Sequence, residues 1–133
     1  MLIYCCTCQI EVDARLTNGA EIYPHRTDLA CIPFWRCDTC KGYVGTHHKT
    51  RNYTQPLGFI PSKEIMRARR EIHAILDPLW KGHTMSRREV YGMLSKALGY
   101  SYHTAEIKTI EQARHVYITV RGIRDALHQK TAC

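Results

Sequence analysis

Several absences narrow what this chain is. No apolar run in its 133 residues approaches the roughly 18 needed to cross a bilayer, and a mean hydropathy of -0.35 agrees, so no membrane partner is expected. The opening Met1-Leu2-Ile3-Tyr4 has no basic leader and is too short for a signal core, which predicts a cytoplasmic address. There is no internal repeat, no low-complexity tract and no phosphate loop; Gly82-His83-Thr84 and Gly99 read as isolated loop punctuation. Nor can a nucleophile-base pair, a carboxylate dyad or an open metal site be assembled, which makes an enzyme, a nuclease-like one included, the weakest functional reading.

What the chain does have is cysteine. Seven cysteines in a reducing compartment favour metal ligation over a disulfide framework. Four of them form two hooks, Cys5-Cys6-Thr7-Cys8 and Cys37-Asp38-Thr39-Cys40, each reading C-x-x-C. Two such pairs separated by a hairpin-sized insert make the four-thiolate tetrahedral site that structural zinc prefers. The reading is therefore a Zn2+ ion held by Cys5, Cys8, Cys37 and Cys40. Redox thiols and uncommitted core cysteines are the alternatives, but neither hook sits in the βαβ pattern of a thioredoxin-like pair. Cys6 and Cys31 read as small core hydrophobes and Cys133 as a bystander. His47 and His48 lie close to the second hook, yet four thiolates already close the site, so both read as strand-end or surface residues. With His25 they do not form a compact nuclease motif.

Between the hooks, residues 10 to 16 alternate apolar and polar as a half-buried strand does. Asn18-Gly19 then predicts a type I′ hairpin, with Ala20-Glu21-Ile22-Tyr23 as the return strand and Pro24 as its stop. Gly42-Tyr43-Val44-Gly45-Thr46-His47 predicts a strand leaving the second hook, with a glycine placed so that backbone N–H groups turn toward sulfur. The sum is a zinc ribbon of four short strands, too small to fold without its metal. Residues 48 to 61 read as a connector that packs through Leu57, Phe59 and Ile60.

Beyond Ser62 the period changes to that of helices. Ile65, Ala68, Ile72, Ile75, Leu76 and Leu79 mark a first helix that stops or kinks at Asp77-Pro78. Ser86-Arg87-Arg88-Glu89 is a capping box opening a second, with Val90, Met93, Leu94, Ala97 and Leu98 on one face and Gly99 closing it. Thr109-Ile110-Glu111-Gln112 opens a third, though the β-rich run from Val116 to Val120 also suits a strand; length and the cap favour helix. The predicted fold is α+β: an N-terminal zinc ribbon of short antiparallel strands, residues 1–61, packed on a C-terminal bundle of three helices, residues 62–133.

Taken in order, Ile22-Tyr23-Pro24, Asp28-Leu29, Phe34-Trp35-x-Cys37-x-x-Cys40, Tyr43-Val44-Gly45-Thr46-His47, Pro56-Leu57-Gly58 and Asp77-Pro78-Leu79-Trp80 resemble an uncharacterised family of small bacterial and phage proteins described as zinc-finger-containing. The resemblance extends through Tyr91-x-x-Leu94 and Leu98-Gly99. It implies that Cys5, Cys8, Cys37 and Cys40 occupy the family's metal-ligand positions. One departure is Thr46, where many relatives are expected to carry cysteine. The family brings no established activity.

Charge supplies the remaining clue. Of the formal charge of +7, the first 61 residues hold +1, from six Lys/Arg against five Asp/Glu. The helical half holds +6, from thirteen against seven. Arg67, Arg69, Arg70, Arg87 and Arg88 on the helices are candidate phosphate contacts, weighed against an ordinary solvated face. Tyr23, Trp35 and Tyr43 are either base-stacking platforms or the ribbon's own core. The leading function is thus a non-enzymatic zinc-binding module that contacts nucleic acid, a regulator of bacterial or phage type. The runner-up is a protein-interaction factor, a phage inhibitor of a host enzyme or defence complex.

Overall fold

The structure, a computed structural model, describes residues 1–81 and 85–131. Gly82-His83-Thr84, expected as loop punctuation, and Cys133 lie outside the described residues. The chain divides into two compact units, Met1–Glu64 and Ile65–Cys133.

In the first unit, the short apolar run at the start of the chain forms strand β1 (Leu2–Cys5), whose pleat turns Ile3 and Cys5 inward and leaves Leu2 exposed. It pairs antiparallel with β2 (Ile10–Asp13), Cys5 facing Ile10 and Leu2 facing Asp13. The first hook is therefore the turn of this hairpin. Buried Ala14 passes the chain to β3 (Arg15–Asn18). Strand β3 pairs with β4 (Pro33–Arg36), which pairs in turn with β5 (Tyr43–Gly45), all antiparallel. The second hook is the turn between β4 and β5.

The Asn18-Gly19 hairpin does not form. Asn18 instead caps one helical turn, α1 (Gly19–Ile22), its Oδ1 accepting from the Glu21 N–H at 3.3 Å. Gly19 is needed for space, because a Cβ there would lie 1.8 Å from the Leu29 carbonyl oxygen. Both residues are turn formers, and a helix cap with a close backbone approach uses the same chemistry as a hairpin. A 3-10 turn at Thr27–Leu29 brings the chain back to β4. The aromatic residues Tyr23, Phe34 and Tyr43 pack edge to face with centroids 5.5 to 6.1 Å apart, and the Tyr23 and Tyr43 hydroxyls meet at 2.6 Å. Tyr23 and Tyr43, both half-buried, are thus packed against Phe34 within the unit.

The expected connector is more than a linker. Ile60 is fully buried; its N–H donates to the Tyr4 carbonyl at 2.9 Å, and its carbonyl accepts from the Cys6 N–H at 2.8 Å. It bridges in parallel to Cys5, and Phe59 packs edge-on against Tyr4. Leu57, by contrast, is 43% exposed.

The second unit is three helices packed together: α2 (Lys63–Leu76), α3 (Arg87–Leu98) and α4 (Ile110–Thr131). Pro78 ends α2 in a 3-10 turn, Asp77–Leu79. Ser86 and Glu89 make both bonds of the capping box, and Gly99 ends α3 at φ 84. Thr109 Oγ1 accepts from the Gln112 N–H, while the Gln112 side chain reaches back to the Lys108 N–H, and the β-rich run from Val116 to Val120 is helix. Ile72, Leu76, Val90, Leu94, Ile107, Val116 and Val120 form the centre of this core. Met93 and Ala97, expected on the apolar stripe, face solvent instead. Among the described residues, no helix is long and apolar enough to cross a membrane.

Leu94 is fully buried and Ile118 is 68% exposed. Leu94→Ala is expected to destabilise the helical unit by about 2–5 kcal/mol, against less than about 0.5 kcal/mol for Ile118→Ala. Urea titration followed by far-UV circular dichroism measures both; equal losses would contradict this core.

Candidate metal centre

Each hook needs its chain to reverse within four residues while turning two thiols to one side. The two solve this alike. The Gln9 N–H donates to the Cys5 carbonyl and the Lys41 N–H to the Cys37 carbonyl, both at 2.7 Å. The residue after the second cysteine is left-handed in each, Gln9 at φ 57 and Lys41 at φ 65. Neither is glycine, so a small conformational cost is accepted to aim the sulfurs.

The result brings Cys5, Cys8, Cys37 and Cys40 together with all four sulfur atoms within 4.8 Å of one another. Cys5 Sγ lies 3.5 Å from Cys40 Sγ, and Cys8 Sγ lies 3.8 Å from Cys37 Sγ. A tetrahedron with zinc-sulfur bonds of about 2.3 Å has edges of about 3.8 Å, so these two pairs, each crossing between the hooks, are at ligand spacing. All four are free thiols rather than disulfide partners. Cys5 and Cys37 are buried and Cys8 and Cys40 half-buried. The donor set fits Zn2+, and when bound the ion crosslinks the two hairpins with no vacant position for water.

The surroundings match that role. The Gly42 N–H donates to Cys40 Sγ at 3.4 Å, and a Cβ on Gly42 would lie 3.2 Å from that sulfur and 3.0 Å from Ile60. Glycine here is a matter of room rather than of backbone angle. Asp38, between the cysteines of the second hook, is gripped by Arg15 through Nε at 2.9 Å and Nη2 at 3.0 Å. Arg15 also holds Glu21 at 2.9 Å, and Glu21 in turn meets Arg36 at 3.3 Å. Arg15 and Arg36 face each other in register across β3 and β4, and the two carboxylates offset that repulsion while tying the second hook to the sheet. The Arg15 guanidinium holds the Asp38 carboxyl below the usual carboxylate range.

Without metal the thiols differ. Burial opposes ionisation of Cys37, but the amide N–H groups of Cys40 and Thr39, together with hydrogen bonds from the Cys40 and Cys8 thiols, outweigh it and hold the thiol at about 7. Burial, reinforced by the Cys37 hydrogen bond, pushes Cys8 up to about 12. Burial also raises Cys40.

Other candidates fall elsewhere. His25, His47 and His48 are exposed, and the four cysteines are the metal-competent cluster found among the described residues. Cys6 is buried as expected, but Cys31 is exposed, which corrects its reading as a core residue. Thr46 is buried and donates to the Pro33 carbonyl at 3.1 Å. Of the helix arginines, Arg67, Arg70, Arg87 and Arg88 are exposed. Arg69 is not: it is only 9% exposed and its Nη2 donates to the Ile107 carbonyl at 2.7 Å. Its expected place among surface phosphate contacts is therefore corrected; it sits on the buried side of α2, beside Ile65 and Ile72 in the helical repeat.

Two hairpin turns presenting four thiolates define a zinc-finger type of domain. Comparison with known families agrees: residues 1–125 match the zinc-finger-containing domain family DUF3268, and the chain belongs to it. Neither the curated proteins nor the solved structures contain a match to this chain.

Two outcomes follow from the centre. Stripping zinc with a high-affinity chelator is expected to collapse the first unit, shifting Trp35 emission, while the helical signal survives because no ligand lies in that core. Unchanged emission in metal-free protein would contradict this. Only thiolates bind the ion, so apparent zinc affinity is expected to fall as pH drops, and more steeply below about 7, where Cys37 too must lose a proton. Competition with a chromophoric chelator across pH reads the slope; a flat profile would count against thiolate ligation.

Proposed function

We propose that this zinc-finger-containing protein is a non-enzymatic nucleic-acid-binding regulator, of the bacterial or phage kind, in which helix arginines contact phosphates. The observation behind this reading is a contrast in how arginines are partnered. In the first unit three of the four arginines, Arg15, Arg26 and Arg36, are paired with Asp or Glu, and Arg51 is the exception. In the second, exposed Arg67, Arg70, Arg87, Arg88, Arg114 and Arg121 have no carboxylate within ion-pair distance among the described residues. Cations left unmatched on a unit of net charge +6 attract an anionic polymer.

Arg87 and Arg88 strengthen the case locally. They stand in the first turn of α3, where the helix dipole disfavours positive charge. Arg87 lies over the Tyr91 ring with its guanidinium carbon 4.2 Å from the centroid, a contact that holds the side chain while leaving the residue exposed. A phosphate bridging this first turn would relieve the unfavourable placement. A closed thiolate centre leaves no open metal position for hydrolysis, so the reading is of binding without catalysis.

Zinc-loaded protein is expected to bind a labelled duplex with affinity that falls steeply between 50 and 200 mM salt, roughly in proportion to the phosphates contacted. Changing Arg67, Arg70, Arg87 and Arg88 together to Ala is expected to flatten the salt slope and weaken binding at least about ten-fold. Salt-independent capture of one defined protein, with no measurable affinity for nucleic acid, would replace this reading with a protein-interaction one.

A further inference from the structure

The loop between Thr46 and Pro56 does more than cross the zinc unit. Its ends are closed by a bridge between those two residues and by the His47 N–H donating to the Gln55 carbonyl at 2.9 Å. Inside it, the Thr50 N–H and hydroxyl both reach the His47 carbonyl, and the Gln55 N–H reaches that of Asn52. Such a pinned surface loop is ordered before any partner arrives, which lowers the entropy cost of binding.

Together with Met1 and Trp35, this loop lines a surface cleft of about 470 Å³, within the range of small-ligand sites of about 300–1,000 Å³. Trp35 supplies one wall. It packs against the zinc unit's core on β4, and its Nε1–H is held by the Thr54 carbonyl at 2.6 Å, so the ring cannot swing away. Tyr53 stands beside it with 59% of its surface exposed. Arg51 is an exposed cation with no carboxylate partner among the described residues, although every arginine on the strands of this unit has one. The carboxamides of Asn52 and Gln55 are likewise exposed, and neither side chain is engaged by another described residue.

We infer that this cleft binds an unpaired nucleotide of a single strand: the base stacks on Tyr53 against the Trp35 wall, the Asn52 and Gln55 carboxamides meet its hydrogen-bonding edge, and Arg51 takes the adjoining phosphate. Each part matches one need of that ligand. Aromatic faces stack on any base, and a carboxamide offers a donor and an acceptor side by side to a base edge. A guanidinium with no carboxylate to satisfy it is suited to phosphate. A base inside a duplex hides both faces in its own stack, so the site selects single strands or frayed ends. This inference rests on the nucleic-acid reading but places the contact on the zinc unit rather than on the helix arginines.

The test is fluorescence anisotropy with zinc-loaded full chain, a labelled single-stranded oligonucleotide, a duplex of the same sequence and thymidine monophosphate as competitor. Tyr53→Ala is expected to weaken single-strand binding roughly five- to hundred-fold with the salt slope unchanged, and to leave duplex binding alone. Tyr53→Phe, which keeps the ring, is expected to restore affinity. Arg51→Ala is expected to reduce the salt slope by about one. Tyr53 is exposed, and zinc content confirms that each variant is folded. Wild-type single-strand affinity untouched by Tyr53→Ala would overturn the inference while leaving the helix-arginine reading standing, and so would binding to duplex alone. Competition by the monophosphate at the oligonucleotide's own affinity would assign the cleft to free nucleotides and overturn the single-strand assignment. Loss on Tyr53→Ala with no effect of the helix arginine changes would support the cleft and remove the helix arginines instead.

Discussion

The amino-terminal unit depends on four sulfur atoms being brought to within a few ångströms of each other by two turns that are far apart in sequence. That demand shapes the rest of the unit. Both turns accept a left-handed residue, Gln9 and Lys41, in identical positions after the second cysteine. Gly42 stays bare because sulfur and Ile60 approach it closely. Ile60 then closes the site from a segment that carries no ligand, pairing its backbone with Tyr4 and Cys6. Two of the six residues at the centre of this core, Cys5 and Cys37, are themselves ligands. A core of this size buries little apolar surface, whereas binding of structural zinc is worth about 10–16 kcal/mol in small zinc-finger peptides, so the metal dominates the stability of the unit.

Charge follows a different logic in each unit. Around the second hook, Arg15 and Arg36 alternate with Glu21 and Asp38 in a network that neutralises itself and braces the turn. Arg15, Glu21 and Asp38 are open to solvent while Arg36 is 20% exposed, so the network works more through geometry than through net electrostatic energy. Among the described residues, the exposed helix arginines Arg67, Arg70, Arg87, Arg88, Arg114 and Arg121 lack such carboxylates, whereas Arg124 meets its neighbour Asp125 at 3.3 Å. Neutralised arginines suit a scaffold, and unmatched ones suit a surface that meets an anion. The buried Arg69 belongs to neither class, since its guanidinium serves the Ile107 carbonyl inside the helical unit.

The metal centre was legible because ligand chemistry imposes a spacing: two cysteines three apart fit one turn, and two such turns fit one ion. The helices were legible for similar reasons, with Ser86, Glu89 and Gly99 acting locally just where the caps fall. The Asn18-Gly19 turn was misread because the deciding contact, the Leu29 carbonyl against Gly19, is nonlocal. Strand β1 was missed because four residues carry too little periodicity, although the unbroken apolar run from Leu2 to Cys5 was a usable signal. Arg69 could have been suspected from its register, since it lies four after Ile65 and three before Ile72, but a charge is buried only with a partner, and the Ile107 carbonyl that supplies it is 38 residues away. The cleft beside Trp35 had no sequence signature, because it exists only once the loop from Thr46 to Pro56 closes.

The most direct test of the central claim is X-ray absorption at the zinc edge on purified, zinc-loaded protein. One shell of four sulfur atoms at about 2.3 Å is the expected result. A shell containing nitrogen or oxygen at about 2.0–2.1 Å would contradict it, as would fewer than four sulfurs, because either would mean that the two hairpins are not joined through Cys5, Cys8, Cys37 and Cys40.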